Sequence, residues 1–83
     1  MPTAHHWQVL SRPECSLCDS MLLELVALLG EADAARIQVV DVGDDPDLER
    51  KYGRRIPVLI VDGEFVCNYR LDIERVKPYL SGA

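Results

Sequence analysis

Cys15 and Cys18 are two thiols with two residues between them, set just ahead of an apolar run in "SRPECSLCDSML". Thiols at that spacing admit three readings: reversible disulfide exchange, half of a metal site, or a pair of semi-buried structural thiols. Exchange needs one thiolate that attacks a substrate disulfide and a second thiol that releases the product from the mixed disulfide. A zinc site takes four ligands, usually as two separated pairs, and the remaining candidates here are His5, His6 and Cys67. His5 and His6 are adjacent, so on a strand they point to opposite faces and cannot serve one ion. No metal site is assigned, and the histidines read as solvated residues at the chain start.

What the pair can do depends on the elements that hold it. Trp7 to Ser11 is a short apolar run that reads as a strand, and Arg12-Pro13-Glu14 breaks it. Met21, Leu22, Leu25, Val26, Leu28 and Leu29 follow at three- and four-residue spacings, which predicts a helix with a broad buried face, stopped by Gly30. Cys15 then falls at the strand-to-helix junction and Cys18 one turn into the helix. The first N–H groups of a helix lack internal partners, and with the helix dipole they favour a thiolate at its start. One unit of pKa depression takes ~1.4 kcal/mol, within reach of a helix end plus one cation. Arg12 is the nearby cation; Glu14 and Asp19 oppose it, so a moderate depression at Cys15 is expected. A C-x-x-C at such a turn favours the redox reading.

Beyond the first helix, "RIQVVDV" from Arg36 to Val42 reads as a second strand. Asp45 can cap a short helix with Pro46 at its first position, Leu48 and Tyr52 on one face, and Gly53 at its stop. Val58 to Cys67 contains two apolar runs flanking Asp62-Gly63, a hairpin signal. Cys67 ends the second run in alternation with Phe65 and reads as a small apolar residue. Leu71 to Leu80 predicts a last helix with Ile73, Val76 and Leu80 on one face, bent or ended by Pro78. The order is β-α-β-α-β-β-α, an α/β fold with a mixed four-stranded sheet flanked by helices, in one domain over residues 1–83.

Composition bounds the function. The formal net charge is −5 in 83 residues, which argues against nucleic acid as a partner. Met1 to His6 shows no signal-peptide pattern, and no apolar run approaches the ~20 residues of a membrane span. The expected compartment is the cytoplasm, where a close thiol pair reads as catalytic or metal-binding.

The chain resembles the glutaredoxin branch of the thioredoxin fold, most closely its small bacterial glutaredoxin-like proteins. The resemblance rests on "SRPECSLC" after the first strand, on "RIPVLIVDG", and on the order of elements between Trp7 and Leu80. It implies that Cys15 is the nucleophile and Cys18 the resolving thiol. It also implies a cis-proline turn at Ile56-Pro57 against the pair, with the Ile56 backbone pairing with substrate. There are departures. The usual Cys-Pro-Tyr-Cys is here Cys-Ser-Leu-Cys, so Ser16 and Leu17 replace a proline and a glutathione-contacting tyrosine. Cys67-Asn68-Tyr69 stands where the family has Gly-Gly and an acidic residue, leaving Asp72 as the candidate carboxylate. The basic cluster Arg50, Lys51, Arg54 and Arg55 is a candidate site for the glycine carboxylate of glutathione or for an acidic partner loop.

The expected function is therefore a thiol–disulfide oxidoreductase, acting as a monomer on protein disulfides or glutathione-mixed disulfides. Arg12, Arg54, Arg55, Ile56, Pro57 and Asp72 are the substrate-binding candidates. No cofactor is expected to be bound; glutathione is a candidate co-substrate. Two alternatives come from other classes: a non-catalytic thioredoxin-fold module that binds a partner, and an iron–sulfur carrier using Cys15 and glutathione on a dimer. The N-terminal domain of a glutathione transferase has the same element order, but this chain carries neither the Glu-Ser pair after the last strand nor the helical domain of that family.

Overall fold

The computed structural model describes residues 5–80, so the reading made of the polar start before His5 lies outside them. Strand β1 is Trp7–Ser11. Helix α1 is Ser16–Leu29 and ends at Gly30. Strand β2 is Ile37–Asp41, helix α3 is Pro46–Tyr52, and strands β3 and β4 are Val58–Val61 and Glu64–Asn68. One turn of helix, α2 (Glu31–Ala34), lies between α1 and β2, in a stretch without apolar periodicity.

The strands form one sheet in the order β2-β1-β3-β4. β1 runs parallel to β2 and antiparallel to β3, and β3 pairs antiparallel with β4. The mixed four-stranded α/β sheet of the sequence reading is thus present. Asp62 and Gly63 both take left-handed φ values, 53° and 83°, as a tight hairpin between right-twisted strands requires.

Two clusters fill the two faces of the sheet. Trp7, Val9, Leu59, Val61, Val66 and Val76 pack with Met21 and Leu25 of α1. On the other face Leu10, Val58 and Ile60 pack with Val42, Leu48 and Tyr52, so α3 covers that side. The alternation of strand side chains divides the residues this way. Asp45 caps α3 by accepting from the amides of Asp47 and Leu48 (2.9 and 3.3 Å). Gly53 follows α3 with its amide donating to the Glu49 carbonyl (2.9 Å), at a position where a Cβ would run into that carbonyl.

Several local expectations are corrected. The buried stripe of α1 is narrow: Met21 and Leu25 are buried, Leu22, Leu28 and Leu29 are half-buried, and Val26 is exposed. β2 stops at Asp41, and Val42 turns inward on a 3-10 turn, Val42–Asp44. The last helix is only Ile73–Val76 (α4), followed by a 3-10 turn at Lys77–Tyr79 that contains Pro78. Of its three expected core residues Val76 is fully buried, Leu80 half-buried, and Ile73 is 51% exposed. Four residues make barely one turn, too short for an i, i+3, i+7 face to form.

A bulge also alters β4. Leu59 pairs with Cys67 but Ile60 pairs with Phe65, so Val66 is the extra residue. The extra residue breaks the period-2 alternation. Val66 and Cys67 therefore both face the core while Phe65 is 44% exposed, rather than Cys67 and Phe65 sharing an environment.

Candidate functional site

Cys15 is the N-cap of α1, with extended backbone (φ −109°, ψ 103°). Its Sγ accepts the amide of Cys18 at 3.2 Å, as a capping side chain does for one of the unpaired donors of a first turn. Glu14, directly before it, has φ 59°, so the chain turns sharply off β1 into the cap. Cys15 and Cys18 are disulfide-bonded, with their Cα atoms 5.2 Å apart. Their surroundings differ: Cys15 is half-buried, whereas Cys18 is 2% exposed. A substrate sulfur can reach Cys15, while Cys18 sits behind it.

Two other loops meet the sheet at the same end. The register pairs Leu10 with Val58, so the segment entering β3 lies beside the loop leaving β1. In that segment the Ile56-Pro57 peptide bond is cis, Pro57 is fully buried, and Ile56 is half-buried. Across β3, Val58 pairs with Asn68, which places the loop after β4 next to Pro57. Three hydrogen bonds tie these two loops. The Tyr69 amide donates to the Pro57 carbonyl (2.9 Å), the Tyr69 hydroxyl to the Arg54 carbonyl (2.9 Å), and Asn68 Nδ2 to the Arg55 carbonyl (3.3 Å). Tyr69 holds them from a left-handed backbone, φ 65°.

The substrate-binding candidates separate into two groups. Arg12, Arg54 and Arg55 come together, lining one groove with Arg50, Lys51 and Glu49. Arg12 is not free to face the Cys15 sulfur as expected. Its Nη2 donates to Glu49 Oε1 at 2.6 Å and to the Gly53 carbonyl at 3.2 Å, which fixes the β1–α1 loop to the end of α3. Arg50 pairs with Asp47 at 3.1 Å, both exposed. Asp72 lies elsewhere, in a cavity lined with Cys67, Asn68 and Arg75. It caps α4, its Oδ1 accepting the Arg75 amide at 3.3 Å, and forms an ion pair with Arg75 Nε at 3.5 Å. Its carboxylate is thus engaged by α4 and stands apart from the groove of Arg12, Arg54 and Arg55.

A second groove runs beside the motif, between α1 and the loop after β4. Leu17, Met21, Leu28, Tyr69, Leu71 and Ile73 supply its apolar lining, with a volume of about 760 Å³. Leu17, Tyr69 and Ile73 are each about half exposed there, at 49, 49 and 51%. Sequence reading missed Tyr69 as a joint between loops, because its role rests on a left-handed φ and a bulge three residues earlier, at Val66. Glu49 was missed as well, because nothing near it in the sequence reports its pairing with Arg12 on a distant loop.

The other titratable groups serve elsewhere. Burial among apolar neighbours pushes the Cys67 thiol above its ordinary value of 9.0. His5 and His6 diverge: His5 Nδ1 meets Asp62 Oδ2 at 2.6 Å, and His6 Nε2 meets Gln38 Oε1 at 3.1 Å. Among the described residues no group of three or more His, Cys, Asp or Glu side chains could hold a metal ion, and no helix is long and apolar enough to cross a membrane.

Comparison with known proteins gives three findings. The glutaredoxin-like domain family (DUF836) matches residues 7–81. The solution structure of protein Ne2328 from Nitrosomonas europaea superposes with a TM-score of 0.83 at 28% identity, covering 95% of this chain and 94% of that one. The X-ray structure of a protein from X. campestris gives a TM-score of 0.59 at 27% identity, covering 93 and 97%. No curated protein matches.

Proposed function

We propose, from the premise that this chain belongs to the glutaredoxin-like domain family, that it is a dithiol oxidoreductase reducing disulfides through Cys15 and Cys18. The observation that carries the reading is the asymmetry of the pair. Cys15 is reachable and capped by the Cys18 amide at 3.2 Å, and Cys18 is buried one turn behind it.

The chemistry follows from those positions. In the reduced protein the Cys15 thiolate attacks one sulfur of the substrate disulfide. The substrate S–S bond breaks, its other sulfur leaves as a thiolate and takes a proton, and a Cys15–substrate disulfide forms. Cys18 then loses its proton and attacks Cys15 Sγ, expelling the second substrate thiolate and closing the Cys15–Cys18 disulfide. Two electrons pass from the dithiol to the substrate. Two external thiols return them, the first opening the Cys15–Cys18 disulfide as a mixed disulfide and the second displacing it, so that the pair leaves as a disulfide; glutathione is the candidate, with the Arg12, Arg54 and Arg55 groove as the place for its carboxylates. The first amides of α1 stabilise negative charge on Cys15.

The test pairs titration with trapping. The reduced Cys15 thiol is expected to ionise below the free-cysteine value of ~8.5, followed by thiolate absorbance against the Cys15→Ser variant. Cys18→Ser is expected to accumulate a mixed disulfide visible by mass spectrometry, and Cys15→Ser none. A Cys15 that titrates like free cysteine, in a protein that reduces no disulfide, removes the proposal.

A further inference from the structure

We infer that the site is built for a polypeptide disulfide whose cysteine carries acidic residues on one side and an apolar side chain on the other. This rests on the dithiol reading above and names its substrate class. Two surfaces of opposite character flank the motif. On one side five cations, Arg12, Arg50, Lys51, Arg54 and Arg55, line a groove with a single carboxylate, Glu49, in a chain whose formal net charge is −5. On the other side lies a mainly apolar groove of Leu17, Met21, Leu28, Tyr69 and Ile73, whose lining also includes Ser20, Glu24 and Arg70.

Tyr69 joins the two. It contributes to the apolar groove, and its hydroxyl donates to the Arg54 carbonyl at 2.9 Å. A bulky residue with φ 65° is an outlier, and such outliers persist where the surroundings over-determine them. Here the over-determining contacts are those that set the cationic loop against the apolar groove. Leu17 lies between the two cysteines and is 49% exposed, so whatever reaches Cys15 also meets an apolar side chain.

Charge and size select the occupant. Two cationic residues of the loop, Arg54 and Arg55, are exposed and, among the described residues, form no ion pair with a carboxylate, so they complement acidic side chains. A tripeptide such as glutathione can answer those charges with its carboxylates, but it has no apolar side chain for the second groove. An extended protein segment has both.

The experiment uses the full chain, reduced, with four probes, each a cysteine capped as a disulfide with 2-mercaptoethanol. One decapeptide has Asp-Glu before and Leu-Leu after the cysteine. A second has Lys-Lys in place of Asp-Glu, and a third Ser-Ser in place of Leu-Leu. The fourth probe is glutathione with the same cap. The first is expected to be reduced about tenfold faster than the second at low salt, a difference of about 1.4 kcal/mol, narrowing as salt screens the charges. The third and fourth are also expected to be slower than the first. Arg54→Glu with Arg55→Glu is expected to reverse the preference between the first two.

Equal rates within twofold for all four, or glutathione reduced fastest, overturn this inference and leave the dithiol reading standing. No reduction of any probe overturns both. A concentration-dependent dimer in sedimentation that Ile73→Glu abolishes assigns the apolar groove to a second copy and also overturns it. The peptide series on the unaltered chain decides the matter even if the double variant fails to fold.

Discussion

Asp62 shows how much one exposed side chain can organise. It sits in the hairpin turn with φ 53° and accepts the His6 amide at 2.8 Å and His5 Nδ1 at 2.6 Å. The His6 amide, then the His5 ring, hold its carboxyl below the ordinary 3.8. The unfolded chain therefore takes up this proton at a higher pH than the folded one does. Stability from the interaction is complete above the unfolded value and is lost as pH falls through the lowered folded value. Asp62→Asn tolerates the turn backbone but removes the charge. It is expected to be less stable at pH 7 and to lose less further stability on acidification to pH 3. Thermal melts of both proteins at the two pH values check this; parallel losses would contradict it. At this scale the sequence was legible where chemistry depends on local spacing. Cys15 and Cys18 sit three apart on a helix start, and the spacing alone implies that they can meet. Arg12 was read by proximity in sequence as a cation for Cys15. Its partners, Glu49 and Gly53, are far along the chain, and no local pattern reports a long-range ion pair.

The elements were legible in kind and less so in extent. Apolar spacing located α1, but the helix presents a narrower buried stripe than the count of apolar residues suggests. Leu25 is 0% exposed and Leu23, two residues earlier, is 71% exposed. Leu25→Ala is expected to cost about 2–5 kcal/mol, the range for a core leucine that leaves a cavity, and Leu23→Ala less than about 0.5 kcal/mol. Urea denaturation of the two variants reads the difference, and equal midpoints would show that α1 packs on another face. The last helix was overextended because Ile73, Val76 and Leu80 fit a periodic template, whereas Pro78 and the short connection from β4 leave room for one turn. The β4 bulge was invisible for a simpler reason. Period-2 alternation in "EFVCN" fits either register, and only the pairing with β3 decides which residues turn inward.

At the scale of the whole molecule the two ends of the sheet have separate tasks. The β1–α1 loop, the cis-proline loop and the loop after β4 gather at one end. At the other, His5, Trp7 and Tyr79 pack edge to face, with centroids 5.4 to 6.3 Å apart, an arrangement favoured by ring quadrupoles. They fasten the C-terminal turn to β1 away from the disulfide. The order of elements and the α/β class were readable because each element carried its own signal: a break at Pro13, a cap at Asp45, a turn at Asp62-Gly63. The meeting of the two grooves at Tyr69 was not, because it requires three loops distant in sequence to be placed at once.

The buried third thiol, Cys67, gives the molecule an internal clock. It lies on β4, an outer strand of the sheet, 5% exposed among Leu59, Val61 and Val76. Burial, more than any charge nearby, raises its ionisation above 9.0, so the folded thiol stays protonated where the unfolded one ionises. Stability from this group is complete below the unfolded value and is lost as pH rises from there through the raised folded value. With Cys15 and Cys18 oxidised, iodoacetamide can take Cys67 only during moments when the edge strand parts from its neighbours. Its rate of alkylation, divided by that of the unfolded chain, counts the fraction of time β4 spends open. That ratio is expected to lie far below one at pH 8 and to rise steeply with urea. Immediate labelling of the native protein would show that β4 opens freely. A single mass shift, followed over hours, would thus time the breathing of one strand without any introduced label.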